Sequence, residues 1–189
     1  MNSVLIISNI GSTMEIISDL LKGEQFSKIS LAQNASQARR SITEFNYDLI
    51  VIDTPLPDES GTDLSLTAAE KTTAGIILIV DQNRVYEISA IVEDYGVFAL
   101  PKPVAPEFFY QAVKLLSASR KRVMMLENKN QELQKKIEEI RIVDRAKLVL
   151  IQVLKMTEPQ AQRYIEKQSM DLRQTRLTTA ETILRTYES

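Results

Sequence analysis

The 189-residue chain contains no cysteine and no histidine. Without cysteine there are no disulfides, thiolate zinc sites or cysteine nucleophiles, and without histidine the commonest general base and metal ligand is gone. A hydrolase triad or a zinc centre is therefore not expected. Long apolar runs are also lacking. The runs ending at Ile52 and spanning Gly75 to Val80 fall far short of the roughly 20 residues that cross a bilayer, and the N-terminus has no basic region ahead of an apolar core. The chain is expected to be neither membrane-spanning nor secreted, and to work in the cytoplasm. What is present is ordinary: hydrophobic residues make up 44% and charged residues 25%, proportions that exclude extended disorder. The length suits one domain of roughly 100–150 residues plus a smaller unit.

The net charge of −2 hides a polarity along the chain. Residues 1–119 hold 8 Lys and Arg against 15 Asp and Glu, a net of −7, whereas 120–140 hold 6 against 4 and 141–189 hold 9 against 6. An acidic front joined to a basic back suits a polyanion at the C-terminal end, although a modest excess of this kind is equally a solvated face.

Periodicity divides the first part into repeated βα units. Strands are expected at Val4–Ser8, Lys28–Ala32, Asp48–Asp53, Gly75–Val80 and Val97–Leu100. Helices are expected at Thr13–Leu21, Ser36–Phe45, Asp63–Glu70, Tyr86–Tyr95 and Pro106–Ser117. Alternation of this kind implies an α/β fold with a doubly wound, five-stranded parallel sheet, because right-handed crossovers cover both faces. The working site of such a sheet lies beyond the carboxyl ends of the strands. Asn9, Asp53 and Lys102 fall there.

The segment DLIVIDTPLPDESG, with Asp53, Pro57 and Gly61, followed by LPKP with Lys102 and Pro103, resembles the receiver domain of bacterial response regulators over residues 1–119. The resemblance implies a flavodoxin-like fold, a phosphoryl group accepted by Asp53 from a sensor histidine kinase, Lys102 reading the new charge, and a cis bond at Lys102-Pro103. The pattern also departs from the family. The acidic pair that holds Mg²⁺ after the first strand is replaced by Ser8 and Asn9, the strand-four hydroxyl by Val80 with Asp81 beside it, and the aromatic switch before the lysine by Ala99. Magnesium prefers hard carboxylate oxygens and neutralises charge on the transferring group. No cofactor is expected, and Mg²⁺ at Asp53 would be held weakly. Control by protein contacts or by oligomerisation is expected in place of phosphorylation.

No glycine or proline occurs between Ala118 and Glu158, so a long helix is expected from Arg120. Val123, Asn130 and Ile137 take heptad a positions and Leu126, Leu133 and Ile140 take d positions, which predicts a coiled-coil linker over 120–140 that joins two copies in parallel. An asparagine at an a position lowers stability but selects register and oligomer state.

Residues 141–189 read as a small three-helix all-α domain. The long helix continues to about Leu154, a second opens at Thr157 with T-E-P-Q, and a third opens at Thr178 with T-T-A-E. Ala146-Lys147, Ala161, Ser169-Met170, Arg173 and the closing AETIL resemble the ANTAR domain, a bacterial RNA-binding antitermination module. That resemblance implies a dimer that grips hairpins in nascent mRNA so that polymerase reads through a terminator. Lys147, Arg163, Lys167, Arg173 and Arg176 are the candidate RNA contacts, with Tyr164 and Gln174 as candidate base contacts; arginine planes and lysine charges suit loop bases and phosphates. Partners implied are an mRNA hairpin, a second copy, and a histidine kinase or a ligand-sensing regulator protein. Two other classes stay open: a DNA-binding response regulator, and a dimeric protein-interaction scaffold. Nothing in the sequence pairs a nucleophile with a base, so no enzyme is expected.

Overall fold

The computed structural model describes residues 3–22 and 26–187; the outermost residues of the expected first and last domains lie outside the described residues. Strands β1 (Ser3–Ile7), β2 (Lys28–Ala32), β3 (Leu49–Asp53), β4 (Gly75–Asp81) and β5 (Val97–Lys102) form one parallel sheet in the order β2-β1-β3-β4-β5. Helices α1 (Gly11–Lys22), α2 (Ala35–Glu44), α3 (Gly61–Lys71) and α4 (Val85–Val92) alternate with them, and α5 (Pro106–Leu154) follows β5. Central β3 is buried along its whole length. A strand covered on both faces needs an apolar side chain at every position, which is why β3 and β4 read as aliphatic runs.

Strand alternation sorts the core into two layers. Leu5, Ile7, Ile50, Ile52, Leu78 and Val80 pack against Leu64 and Ala68 of α3 and Ile88 and Val92 of α4. Val4, Ile6, Leu49, Val51, Ile77 and Ile79 pack against Ile17 and Leu21 of α1 and Phe109 and Val113 of α5. The helix expected over Tyr86–Tyr95 is shorter than its pattern suggests. It ends at Val92, a single 3₁₀ turn covers Glu93–Tyr95, and Gly96 turns the chain with φ 72°, a left-handed conformation that glycine adopts most easily. Strand β5 runs on to Lys102 instead of stopping at Leu100.

The largest departure concerns the two helices expected at Pro106–Ser117 and from Arg120. They are one helix of 49 residues. Ser117 does not interrupt it, because its hydroxyl donates to the Val113 carbonyl at 2.6 Å inside the helix, a bond that satisfies serine without leaving helical geometry. Arg120 then ties the helix to the sheet's lower end. Its guanidinium meets Asp48 at 2.5 Å and donates to the Thr73 carbonyl at 3.2 Å, and Asp48 also accepts from the Ser3 amide at 3.0 Å. The chain divides into two compact units, 1–124 and 125–189, inside α5 and beyond the boundary expected at Ser119.

The C-terminal unit consists of the end of α5, α6 (Glu158–Asp171) and α7 (Arg176–Tyr187). Helix α6 opens as its sequence suggests, with Pro159 in the first turn and the Thr157 amide donating to Gln160 Oε1 at 2.8 Å. Helix α7 opens at Arg176, not Thr178. Thr175 caps it: its hydroxyl accepts from the Thr178 amide at 3.1 Å and its carbonyl from Thr179, so the threonine three residues earlier takes the role assigned to Thr178. Lys155 and Arg173 sit in left-handed turns, φ 55° and 52°, just past the ends of α5 and α6, the usual place for that conformation.

The core of this unit is small. It is built from Ala146, Leu150, Ala161, Ile165, Ala180 and Ile183, and each helix supplies one fully buried alanine. A bare methyl at each crossing lets three backbones approach closely. Ser169 and Thr179, both buried, share a 2.9 Å hydrogen bond between α6 and α7. No helix among the described residues is long and apolar enough to cross a membrane.

Candidate functional site

At the carboxyl end of the sheet, Asp53 is the last residue of β3 and is only 1% exposed. Its Cα partner on β4 is Ile79, so its side chain shares the face of Ile79 and, two residues on, Asp81. Ser8, just past β1 and fully buried, donates its hydroxyl to Asp53 Oδ2 at 2.7 Å. Lys102, the last residue of β5, places Nζ 2.7 Å from Asp53 Oδ1 and also donates to the Thr54 carbonyl. One carboxylate is thus met by a hydroxyl and an ammonium, which offsets much of the cost of burying its charge. The Lys102-Pro103 bond is cis, and so is Thr54-Pro55.

Val80 does not belong to this pocket. It is fully buried on the opposite face of β4, in the layer with Ile88 and Val92, and the strand-four residue on Asp53's side is Asp81. Counting alternate positions from Asp53's register partner gives that answer; the unbroken aliphatic run of β4 conceals it. Asn9 lies exposed beyond Ser8. Asp81 is exposed and lines a cleft of about 190 Å³ with Thr54, Ser60, Gly61 and Arg84. A side chain at Gly61 would collide with the Thr54 methyl, so α3 starts where only glycine fits.

The donor set suits Mg²⁺ poorly. Beside the buried carboxylate stands the Ser8 hydroxyl where the metal prefers charged oxygens, and no group of three acidic or other metal-ligating side chains occurs among the described residues. The loop after Asp53 is itself tied down. Asp58 accepts from the Ala35 and Ser36 amides at 2.8 and 2.9 Å, and Glu59 pairs with Arg39 at 2.6 Å. The bonds from Ala35 and then Ser36 hold the Asp58 carboxyl below its ordinary pKa. Neither Asp58 nor the Arg120 anchor had a sequence signal of its own, since both contacts join residues far apart in the chain.

In the C-terminal unit the candidate cations separate. Lys147, only 17% exposed, pairs with Asp144 at 2.7 Å and reaches Glu158 at 3.7 Å; the hydrogen bond it donates to Asp144 raises its pKa. Arg176 faces Glu166 at 3.4 Å. Both line a cleft of about 450 Å³ between α5, α6 and the start of α7. Arg163, Lys167 and Arg173 are exposed and stand outside that cleft. Tyr164 packs partly buried against the core, and Gln174 donates to Thr179 at 3.0 Å, so both side chains support the fold. On α5, Val123, Leu126, Leu133, Ile137 and Ile140 are between 43% and 63% exposed, and Asn130 lies on the solvent side with them. This is an apolar stripe along a single helix, its side chains about half exposed.

The model of the response regulator receiver domain matches residues 4–114, well over half of the chain. The chain belongs to the response regulator receiver family. A second family model, the ANTAR domain, matches residues 131–184. The match starts within the stretch expected to be linker alone. The transcriptional regulatory protein PdtaR of Mycobacterium tuberculosis is 26% identical over 171 residues, covering 90% of this chain and 83% of PdtaR. The transcriptional regulatory protein DpiA of Escherichia coli is 34% identical over 116 residues, covering 61% of this chain and half of DpiA. Among solved structures, a response regulator receiver domain protein from Clostridium thermocellum superposes with a TM-score of 0.59 at 19% identity, covering 65% of this chain and 99% of the other. The chain is a response regulator of the antitermination type, with a receiver domain and an ANTAR domain joined by α5.

Proposed function

We propose that this regulator binds hairpins of nascent mRNA as a homodimer and so favours read-through of a terminator, in the cytoplasm and without enzymatic activity of its own. The observation that carries the reading is the three-helix unit closed by Ala146, Ala161 and Ala180, which coincides with the ANTAR match and follows the receiver on one continuous helix. Val123, Leu126, Asn130, Leu133, Ile137 and Ile140 form the dimer seam. The exposure of these apolar side chains supports that role, since a lone helix gains nothing from an apolar stripe in water. Lys147, Arg163, Lys167, Arg173 and Arg176 meet phosphates and loop bases.

Control of the receiver runs through contacts with other proteins. Phosphoryl transfer to a carboxylate needs positioning and metal charge on the transferring oxygens. Asp53 is instead engaged by Ser8 and Lys102, in a pocket whose donors bind Mg²⁺ weakly or not at all. The deciding experiment is a gel shift of the full chain with hairpin RNA and with duplex DNA across a salt series. Steep salt dependence with RNA alone is expected. Preference for duplex DNA would make this a DNA-binding regulator, and no binding to either would make it a protein-interaction scaffold.

A further inference from the structure

The 450 Å³ cleft of the C-terminal unit falls in the size range of small-ligand pockets, roughly 300–1,000 Å³. Its chemistry is mixed. Ile140, Val143 and Leu177 supply an apolar floor, Gln162 and Thr175 supply neutral polar groups, and Glu139 and Asp144 face Lys147 and Arg176 on the walls. A groove made for the phosphate backbone would be lined by cations alone. Here Asp144 offsets Lys147 and Glu166 offsets Arg176, which leaves little net charge to attract a phosphate. A flat, neutral, hydrogen-bonding group fits better.

The polar groups are held in place. Gln162 donates one N–H to Glu166 at 2.8 Å, and the same carboxylate faces Arg176. An amide group still offers a second donor and a carbonyl with two lone pairs, the paired pattern that reads a base edge. We propose that this cleft receives one unstacked nucleobase of the bound RNA, with Gln162 reading its edge and Val143 and Leu177 packing its faces. The inference rests on the RNA reading above and adds to it the place of base selection and the residue that selects.

The test uses the full chain and a library of RNA hairpins with randomised loops. The parent is expected to enrich loops that share one base identity, and removing that base, as an abasic site, is expected to weaken binding by about tenfold or more. Gln162→Ala is expected to cost about as much on the intact loop and nothing further on the abasic one. Arg163→Ala, a candidate phosphate contact outside the cleft, is expected to cost the same on both. Melting temperatures and sedimentation of each variant control for folding and dimerisation, and Gln162→Glu, which keeps the size but changes the donors, is expected to alter which base is enriched. Equal losses from Gln162→Ala on intact and abasic loops, an unchanged base preference, or a change in dimerisation alone would overturn the inference while leaving RNA binding in place. If the parent binds no hairpin, the RNA reading fails and the inference falls with it.

Discussion

The receiver and the C-terminal unit solve the same packing problem with different material. The receiver buries two layers of long aliphatic side chains on either side of a sheet whose central strands are covered on both faces. The C-terminal unit closes on six buried residues, three of them alanines. The first is secured by hydrophobic area and tolerates changes at its working pocket; Ser8 and Asn9 coexist with an intact fold. The second is secured by close approach, so its characteristic letters are core letters and its function must be sought in what the core leaves outside.

The sharpest way to break this comparison is to disturb each core. Ile50→Ala in the receiver removes fully buried atoms from β3 and is expected to cost about 2–5 kcal/mol. Ala161→Leu forces a larger side chain between helices and is expected to cost about 1–3 kcal/mol. Calorimetry should show each substitution lowering a different transition, because the two units are separately compact. A single transition that moves equally in both variants would mean that the chain melts as one body.

A smaller effect is expected at the anchor where α5 leaves the sheet. Arg120→Ala leaves the half-buried Asp48 and the Thr73 carbonyl without the guanidinium they share, a loss of about 1–3 kcal/mol. The receiver transition should fall, and the C-terminal transition should stay where it was. In the C-terminal unit the matching experiment concerns exposed charge. Arg163→Ala is expected to change stability by under about 0.5 kcal/mol while lowering the salt slope of RNA binding by about one. Loss of folding would place Arg163 in the structure instead of at the RNA.

How much of this the sequence disclosed differs between the two units for physical reasons. The five-stranded parallel sheet and Asp53 at the end of its third strand follow from local patterns, since a covered parallel strand must be apolar and a site residue must end one. An unbroken aliphatic run hides which face each side chain takes, so the sequence puts Val80 in the pocket and only the Asp53–Ile79 register exposes Asp81. The break expected near Ser119 fails because a serine can bond within its own helix, and the start of α7 moves because Thr175 and Thr178 offer the same capping chemistry. Asp58 and Arg120 depend on contacts between distant segments and Gln162 on a cleft that three helices line together, so none leaves a local signature. Among the cations, only folding brings Lys147 and Arg176 to one cleft.

Asp58 gives a finer reading of how the receiver's site loop is held. Its folded pKa lies below the ordinary 3.8 because amides of α2 bind the ionised form. A depressed carboxylate pKa contributes stability that is present above the unfolded value and is lost as pH falls through the folded one. The difference in melting temperature between the parent and Asp58→Ala should therefore be constant from about pH 5 to pH 8 and shrink below about pH 4. A difference that persists undiminished at pH 3 would mean that the amide bonds do not favour the ionised form.

The smallest expected effect is at Asp53. Acetyl phosphate or a beryllofluoride mimic with Mg²⁺ is expected to leave the dimer and RNA binding nearly unchanged, because Ser8 donates to one oxygen of Asp53 and Lys102 pairs with the other, and serine and asparagine stand after β1 where carboxylates would hold the ion. Asp53→Asn is the appropriate variant, since alanine would leave Lys102 without its buried partner. Ser8→Asp with Asn9→Asp sharpens the comparison. The first change sets a second buried carboxylate about 3 Å from Asp53, and like charges at that distance destabilise the fold unless a cation joins them. The double variant should therefore melt lower than the parent without metal and recover with Mg²⁺, by about 2.7 kcal/mol when the ion is at a hundred times its dissociation constant. The parent should show no such recovery. A strong Mg²⁺-dependent phospho-Asp53 band from the unmodified protein on a phosphate-retaining gel, accompanied by a change in oligomeric state, would show instead that the serine, the lysine and one aspartate suffice for phosphoryl signalling.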